Sequence, residues 1–173
     1  MIPTEILSAK HQNILKAINL LLKECQEIES GKELNKIFFN NAIYFIQHYA
    51  DKFHHAKEED ILFKELGKDT VEMHCNPSTQ MLYEHDLGRG FVKEMIDGLK
   101  NNDKEQIIQN ARSYGQLLQE HISKEDNILY PMANEALNLN IQTSMSEEFE
   151  RVEEEMKEMK EKCLSFLGEK NES

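Results

Sequence analysis

Apolar positions recur at intervals of three and four along most of this sequence, which is the helical period. Leu7, His11, Ile14, Leu15, Ile18, Leu22 and Cys25 form the first stripe. They predict a helix opened by Thr4 as N-cap and closed at Ser30-Gly31. A second stripe through Ile43, Ala50, His54, Glu58 and Ile61 predicts a long helix over 33–66, stopped by Gly67. Residues 67–76 read as the longest connection, and Asn76-Pro77 as an N-cap followed by proline in the first turn. The third helix, to residue 99, carries Met81, Leu82, His85, Arg89, Val92, Ile96 and Leu99. The fourth, capped by Asp103, covers 104–137 and turns Ile107, Ala111, Tyr114, Leu117, Leu118, His121, Glu125 and Ile128 inward, with Pro131 kinking or shortening it. Residues 138–143 read as a loop. A capping box from Ser144 to Glu147 then opens a last helix bearing Met145, Phe149, Val152, Met156, Met159, Cys163 and Phe166.

The predicted fold class is all-α: an up-down-up-down antiparallel four-helix bundle over 1–137, with an additional C-terminal amphipathic helix over 144–168. That helix packs on the bundle or forms a homodimer interface. Three Pro and seven Gly in 173 residues leave few helix breakers. The net charge of −12 argues against nucleic acid and anionic membrane as partners, since both reward basic patches. Cys25, Cys75 and Cys163 are widely spaced and form no CxxC pair, so no disulfide framework is expected and a reducing, cytoplasmic location is. The sequence shows neither a signal-peptide pattern nor an apolar run long enough for a membrane span.

One internal repeat changes the picture. His54-His55-Ala56-Lys57-Glu58-Glu59-Asp60-Ile61-Leu62-Phe63 aligns without a gap to His121-Ile122-Ser123-Lys124-Glu125-Asp126-Asn127-Ile128-Leu129-Tyr130. Each segment presents a His and a Glu four residues apart, which a helix places on one face. His11 and His85 add an imidazole to the apolar stripes of the first and third helices. Burying four imidazoles and two carboxylates without partners costs several kcal/mol per unpaired charge, and a shared cation removes that cost. Imidazole and carboxylate without thiolate suit iron, manganese or zinc. Six ligands are too many for one tetrahedral zinc and fit two ions sharing carboxylates; the nitrogen-rich set favours iron.

These residues resemble the hemerythrin-like (HHE cation-binding) proteins. The likeness rests on His11, on His54 and Glu58 within "FHHAKEEDILF", on His85 within "YEHDLGR", and on His121 and Glu125 within "EHISKEDNILYP", and it covers roughly residues 5–135. It implies two iron ions bridged by an oxo or hydroxo group and by the carboxylates of Glu58 and Glu125. It also implies that His11 and His121 terminate one iron and His54 and His85 the other. Oxygen-carrying members have a second His one turn after the third-helix ligand, where this sequence has Arg89. They also place the last carboxylate one residue later, at Asp126; the internal repeat selects Glu125 instead. With one His fewer, open coordination positions are expected, which favours reaction over carriage. The pattern is similar to the branch containing nitric-oxide-handling and iron–sulfur-repair proteins, although the repair proteins also carry a Cys-bearing N-terminal domain not found in this sequence.

The function expected is therefore binding of, and reaction with, O2, NO or peroxide, an oxidoreductase if it turns over. The alternatives are O2 or iron sensing or storage without turnover, and a helical scaffold holding zinc or nothing. Tyr114 and Arg89 are candidates to act beside the metals. At 100° per residue His55 and Glu59 fall off the inner face and read as a solvated or supporting pair; the alternative is a one-residue change of register that puts them in place of His54 and Glu58. Asp86 and Asp126 read as helix surface, with the orienting of ligand imidazoles as the alternative. His48 reads as structural, and His74 and Cys75 as loop residues, with a redox or secondary metal role as the alternative.

Overall fold

In the computed structural model, which describes residues 1–168, α1 (Pro3–Glu29) opens on a proline whose missing N–H is no loss in a first turn. Thr4 is not its cap. Ile2 holds that position, and Thr4 Oγ1 instead donates to Asn134 Oδ1 at 2.8 Å. Asn35 caps α2 (Lys36–Phe45), its Oδ1 accepting from the Phe38 amide at 3.0 Å. The same rod continues through two π-helical stretches, π1 (Ile46–His55) and π2 (Glu58–Leu62), into α3 (Phe63–Leu66). Asn76 Oδ1 accepts from Ser78 N at 3.0 Å ahead of α4 (Ser78–Asn101), which starts after Pro77 rather than at it. Asn102, at φ 55°, makes the left-handed turn out of α4, and Asp103 caps α5 (Lys104–Lys124). A Cβ at Gly98 would fall 2.9 Å from Ile107 Cγ1, so glycine lets α4 and α5 close on each other at this turn. Then follow π3 (Glu125–Leu129) and α6 (Tyr130–Ala136), with Pro131 in its first turn. No strand occurs among the described residues, and no helix there is long and apolar enough to cross a membrane.

The π stretches are the first departure from the expected straight helices. A π turn bonds residue i to i+5, so successive side chains diverge by less than the 100° of an α-helix. One consequence appears at Ile128, expected inside and in fact 51% exposed. The second departure is C-terminal. Asn138 accepts from the Ile141 amide at 3.1 Å and starts α7 (Leu139–Glu155), so the expected loop is helix and Ser144 lies within it. The expected last helix is two, α7 and α8 (Lys157–Gly168), separated at Met156.

Two apolar clusters form the interior. One gathers Ile14, Phe53, Val92, Ile122, Cys163 and Phe166 with their neighbours; the other gathers Leu7, Leu62, Met81, Leu129, Met145 and Phe149. His11 lies between Leu7 and Ile14, His54 and Glu58 between Phe53 and Leu62, His85 between Met81 and Val92. The polar positions thus form one layer between two greasy ones.

Lys57 ties the C-terminal helices to this layer. It is 1% exposed, its Nζ donates to Glu153 Oε1 at 3.1 Å, and it stands 3.7 Å from the Phe53 ring centroid. Lys10 and Lys160 reach the same carboxylate at 2.9 and 3.3 Å. Burial pushes the Lys57 ammonium down to about 8 against the pull of Glu153. Burial also works to raise Glu153, but Lys10 and then Lys57 hold it at about 2.

Glu153→Gln is expected to cost about 1–3 kcal/mol at neutral pH in urea unfolding followed by far-UV circular dichroism, because a buried ammonium loses its anion. A carboxylate depressed in the fold stabilises above its ordinary value, here 4.5, and that contribution is lost as pH falls towards about 2. The gap between parent and variant should therefore shrink across that window; a gap independent of pH contradicts the assignment.

Candidate metal centre

Four rods deliver the polar layer: His11 from α1, His54 and His55 from π1 with Glu58 from π2, His85 from α4, and His121 from α5 with Glu125 from π3. All seven side chains are buried. His11 Nε2 lies 3.1 Å from His54 Nε2, and His85 Nε2 lies 3.0 Å from His121 Nε2. Glu125 spans the two pairs, with Oε2 3.3 Å from His11 Nε2 and Oε1 2.9 Å from His121 Nε2. Glu58 spans them as well, with Oε1 3.7 Å from His54 Nε2 and Oε2 3.5 Å from His85 Nε2. The donors fall into two groups, each with its ligand atoms within 4.8 Å of one another: His11, His54, Glu58 and Glu125, and His55, Glu58, His85 and His121.

This grouping differs from the expected one in two ways. The imidazoles pair as His11 with His54 and His85 with His121, not His11 with His121 and His54 with His85. His55, set outside by α-helical geometry, is in the second group, its ring stacked on His85 at 3.8 Å between centroids. Both it and His54 sit at the end of π1, where the wider turn brings neighbouring side chains to one side. A fifth imidazole is therefore present, supplied by the second helical rod rather than by the Arg89 position.

Carboxylates stand behind the rings. His11 Nδ1 contacts Asp126 Oδ1 at 3.0 Å, His85 Nδ1 contacts Glu59 Oε1 at 2.7 Å, and His121 Nδ1 contacts Glu84 Oε2 at 2.8 Å. His55 Nδ1 lies 3.6 Å from Asp51 Oδ1. Asp126, expected on the surface, thus orients a ring of the cluster, and Glu59 does the same. Lys124 pairs with Glu84. Arg89 Nη2 donates to Asp51 and Glu59 at 2.6 and 2.7 Å, and Nη1 to Asp86 at 2.9 Å. It is a rim residue holding those supports and pairs with neither Glu58 nor Glu125.

This donor arrangement fits a cation. A carboxylate at Nδ1 of His11, His85 and His121 engages that nitrogen and leaves Nε2 as the atom free to face a cation. His85 Nε2 and His121 Nε2 converge between the helices, 3.0 Å apart, with Glu125 against the latter. Burial works to lower the His121 imidazole, but Glu125 and then Glu84 hold it above its ordinary range, so the centre draws positive charge. Glu58 Oε2 is buried and has no hydrogen-bond partner among the described residues, and the buried Glu125 oxygens face the imidazole nitrogens of His121 and His11. Burial and then the charge of Glu125 raise the Glu58 carboxyl well above the ordinary range. Burial works against Glu125 too, but the imidazoles, His121 foremost, hold it well below that range. Burial lowers His54 and takes His55 down to about 3, which keeps both rings neutral and able to ligate.

Tyr130 is the residue that sequence reasoning missed. Its hydroxyl donates to Glu58 Oε1 at 2.5 Å and lies 3.4 Å from His11 Nε2, with the rings stacked at 5.7 Å. Phe63, its counterpart in the repeat, stacks on His85 at 6.0 Å. The exchange of Phe for Tyr at this one aligned position was the available signal. Glu84 had a weaker one, an acid adjoining His85 but serving a ring on another helix. Tyr114 is buried at the side of the second group and touches no donor oxygen. His48 bonds the Tyr44 carbonyl at 2.9 Å, and His74 and Cys75 are exposed, so none of the three joins the cluster.

Comparison with curated proteins and with solved structures gave no match to either. The family model described as the Hemerythrin HHE cation binding domain matches residues 2–133, which include every donor named above. With most of its length inside that match and a buried His/Glu cluster at its centre, this chain belongs to the hemerythrin HHE cation-binding family.

Proposed function

We propose that the chain holds two metal ions, iron by preference, bridged by Glu58 and Glu125, and that the pair binds and reacts with O2, NO or peroxide. The observation that carries this reading is the sharing of Glu58 by two four-residue donor groups. Five imidazoles and two carboxylates exceed what one tetrahedral zinc uses, and the set contains no thiolate. The scaffold assigned is the up-down-up-down bundle, with α7 and α8 against it, in a reducing compartment where Cys25, Cys75 and Cys163 stay free.

A bound metal pair supplies a site for the small molecule and the electrons exchanged with it. The protein supplies the rest. Asp126, Glu59 and Glu84 hold the His11, His85 and His121 rings in the ligating tautomer. Tyr130 donates to Glu58 and fixes which of its oxygens faces His54. The apolar clusters close the layer on both sides except where the cavity reaches it. Since His55 replaces the imidazole missing at Arg89, a shortage of donors no longer argues for reaction over carriage. What now supports reaction is access to the His55, His85 and His121 side through a cavity.

Protein from iron-replete growth, analysed by elemental mass spectrometry, is expected to contain about two irons per chain, one for each donor group. Zinc alone, or no metal, overturns the reading. Mixing reduced protein with O2, NO and peroxide in a stopped-flow instrument then distinguishes turnover from reversible binding.

Glu125→Ala is expected to empty the centre, whereas His55→Ala should lose metal from the second group while retaining the first. Full metal content in His55→Ala would reduce that ring to a stacking partner. Asp126→Asn should weaken metal binding by about 10–100-fold, the usual effect of removing a carboxylate behind a ligating imidazole, measured by chelator competition.

Tyr130→Phe should leave metal content unchanged. The metal-free chain should lose about 1–3 kcal/mol in urea unfolding, because buried Glu58 loses its donor. An unchanged unfolding midpoint would show that this hydrogen bond contributes nothing.

A further inference from the structure

A cavity of about 240 Å³ runs from the surface to the second donor group. Its walls are Ile46, Gly88, Val92, Ile96, Tyr114 and Leu118. His55, His85 and His121 close its inner end, and the exposed Arg89 and Lys93 mark its mouth. This volume decides what kind of molecule it suits. Water occupies about 30 Å³ of liquid, and O2 or NO is of similar size; benzene is held by an apolar cavity of about 150 Å³. The cavity is therefore far larger than a diatomic needs and accommodates one ring with a short side chain.

Charge narrows the choice. The Arg89 guanidinium is engaged by Asp51, Glu59 and Asp86, and Glu84 is paired with Lys124. Lys93 at the mouth is exposed and would hold an anion only there; inside, an anionic guest would have to draw Arg89 from three carboxylates, and a cationic one would have to compete with it. A neutral guest does neither. Of O2, NO and peroxide, only a peroxide can carry an apolar organic body.

We infer that this cavity takes a neutral organic hydroperoxide, its apolar body against Ile46, Val92, Ile96 and Leu118 and its –OOH head at the His55–His85–His121 end. The reaction is a two-electron reduction: the O–O bond breaks, two protons are taken up, and the products are the alcohol and water. A reduced metal pair held by the two donor groups would supply the two electrons, so this redox half rests on the dinuclear reading above. The recognition half rests on the cavity alone.

Two measurements test it. The first titrates 2-phenyl-2-propanol, the unreactive alcohol counterpart of cumene hydroperoxide, into the metal-free chain and follows methyl resonances by NMR. Shifts confined to Ile46, Val92, Ile96 and Leu118 are expected, with affinity at least tenfold weaker in Val92→Phe, which fills the cavity. Ile96→Phe, at a partly exposed position, is the second filling variant should the first not fold. Absence of shifts, or shifts indifferent to filling, overturns the inference. The second compares single-turnover consumption of cumene hydroperoxide and hydrogen peroxide by reduced, iron-loaded protein. Preference for the organic peroxide by at least tenfold is expected, collapsing in the filled variants without loss of iron. Equal rates with iron bound overturn the inference and leave the dinuclear reading standing. A chain that binds the alcohol in the cavity but takes up no metal overturns the dinuclear reading and the redox half with it.

Discussion

Inward-facing imidazole nitrogens are the constraint on which the rest of the structure depends. His11 meets His54, and His85 meets His121, nitrogen to nitrogen at about hydrogen-bond distance. Nothing in an apolar interior favours that arrangement by itself. It persists because three of the four rings are braced from outside the layer. Asp126, Glu59 and Glu84 hold them at Nδ1, while Phe63 and Tyr130 lie flat against His85 and His11. The apolar clusters above and below close the layer except where the cavity reaches it. The whole bundle is a vice around a space that needs positive charge, which is the physical content of belonging to a cation-binding family.

That account explains what the sequence could and could not reveal. His11, His54, His85, His121, Glu58 and Glu125 were legible because a regular helical period puts each on an apolar stripe. Their exposure, 2% or less, agrees. The overall helical character followed from the same stripes. His55 was illegible because it depends on a local change of winding at π1 that the order of apolar residues does not encode. Glu84 was illegible for another reason, and Asp126 and Glu59 were legible as possible supports but not as the partners of particular rings. Each reaches a ring on a different helix, and one sequence carries no record of which rods become neighbours. The pairing of the imidazoles failed on the same ground. At Asn138 the error was one of weighting, since a good N-cap was read as part of a loop.

The two halves of the layer are not equivalent. In the internal repeat a phenol replaces a phenyl, so one half is braced by a ring that also donates to Glu58 and the other by a ring that cannot. The half without the phenol is the one the cavity reaches. Arg89 stands at that entrance and is saturated by its own carboxylates, so it shapes the opening without offering a free charge. Lys93 shares that entrance, so the net charge of −12 coexists with an approach bordered by cationic side chains.

The contact between Lys57 and Glu153 bears on the order in which this molecule is built. Lys57 immediately precedes Glu58 in the chain, yet its anion comes from a helix that a ribosome delivers almost a hundred residues later. Until α7 docks, an ammonium on the site-bearing rod has either to remain in water, holding that rod away from its neighbours, or to be buried alone at a cost of several kcal/mol. Final closure of the polar layer is thereby linked to the arrival of α7. A nascent chain that already bears all seven donors would hold them loosely until that helix follows, so the layer tightens as a late event rather than as each donor emerges.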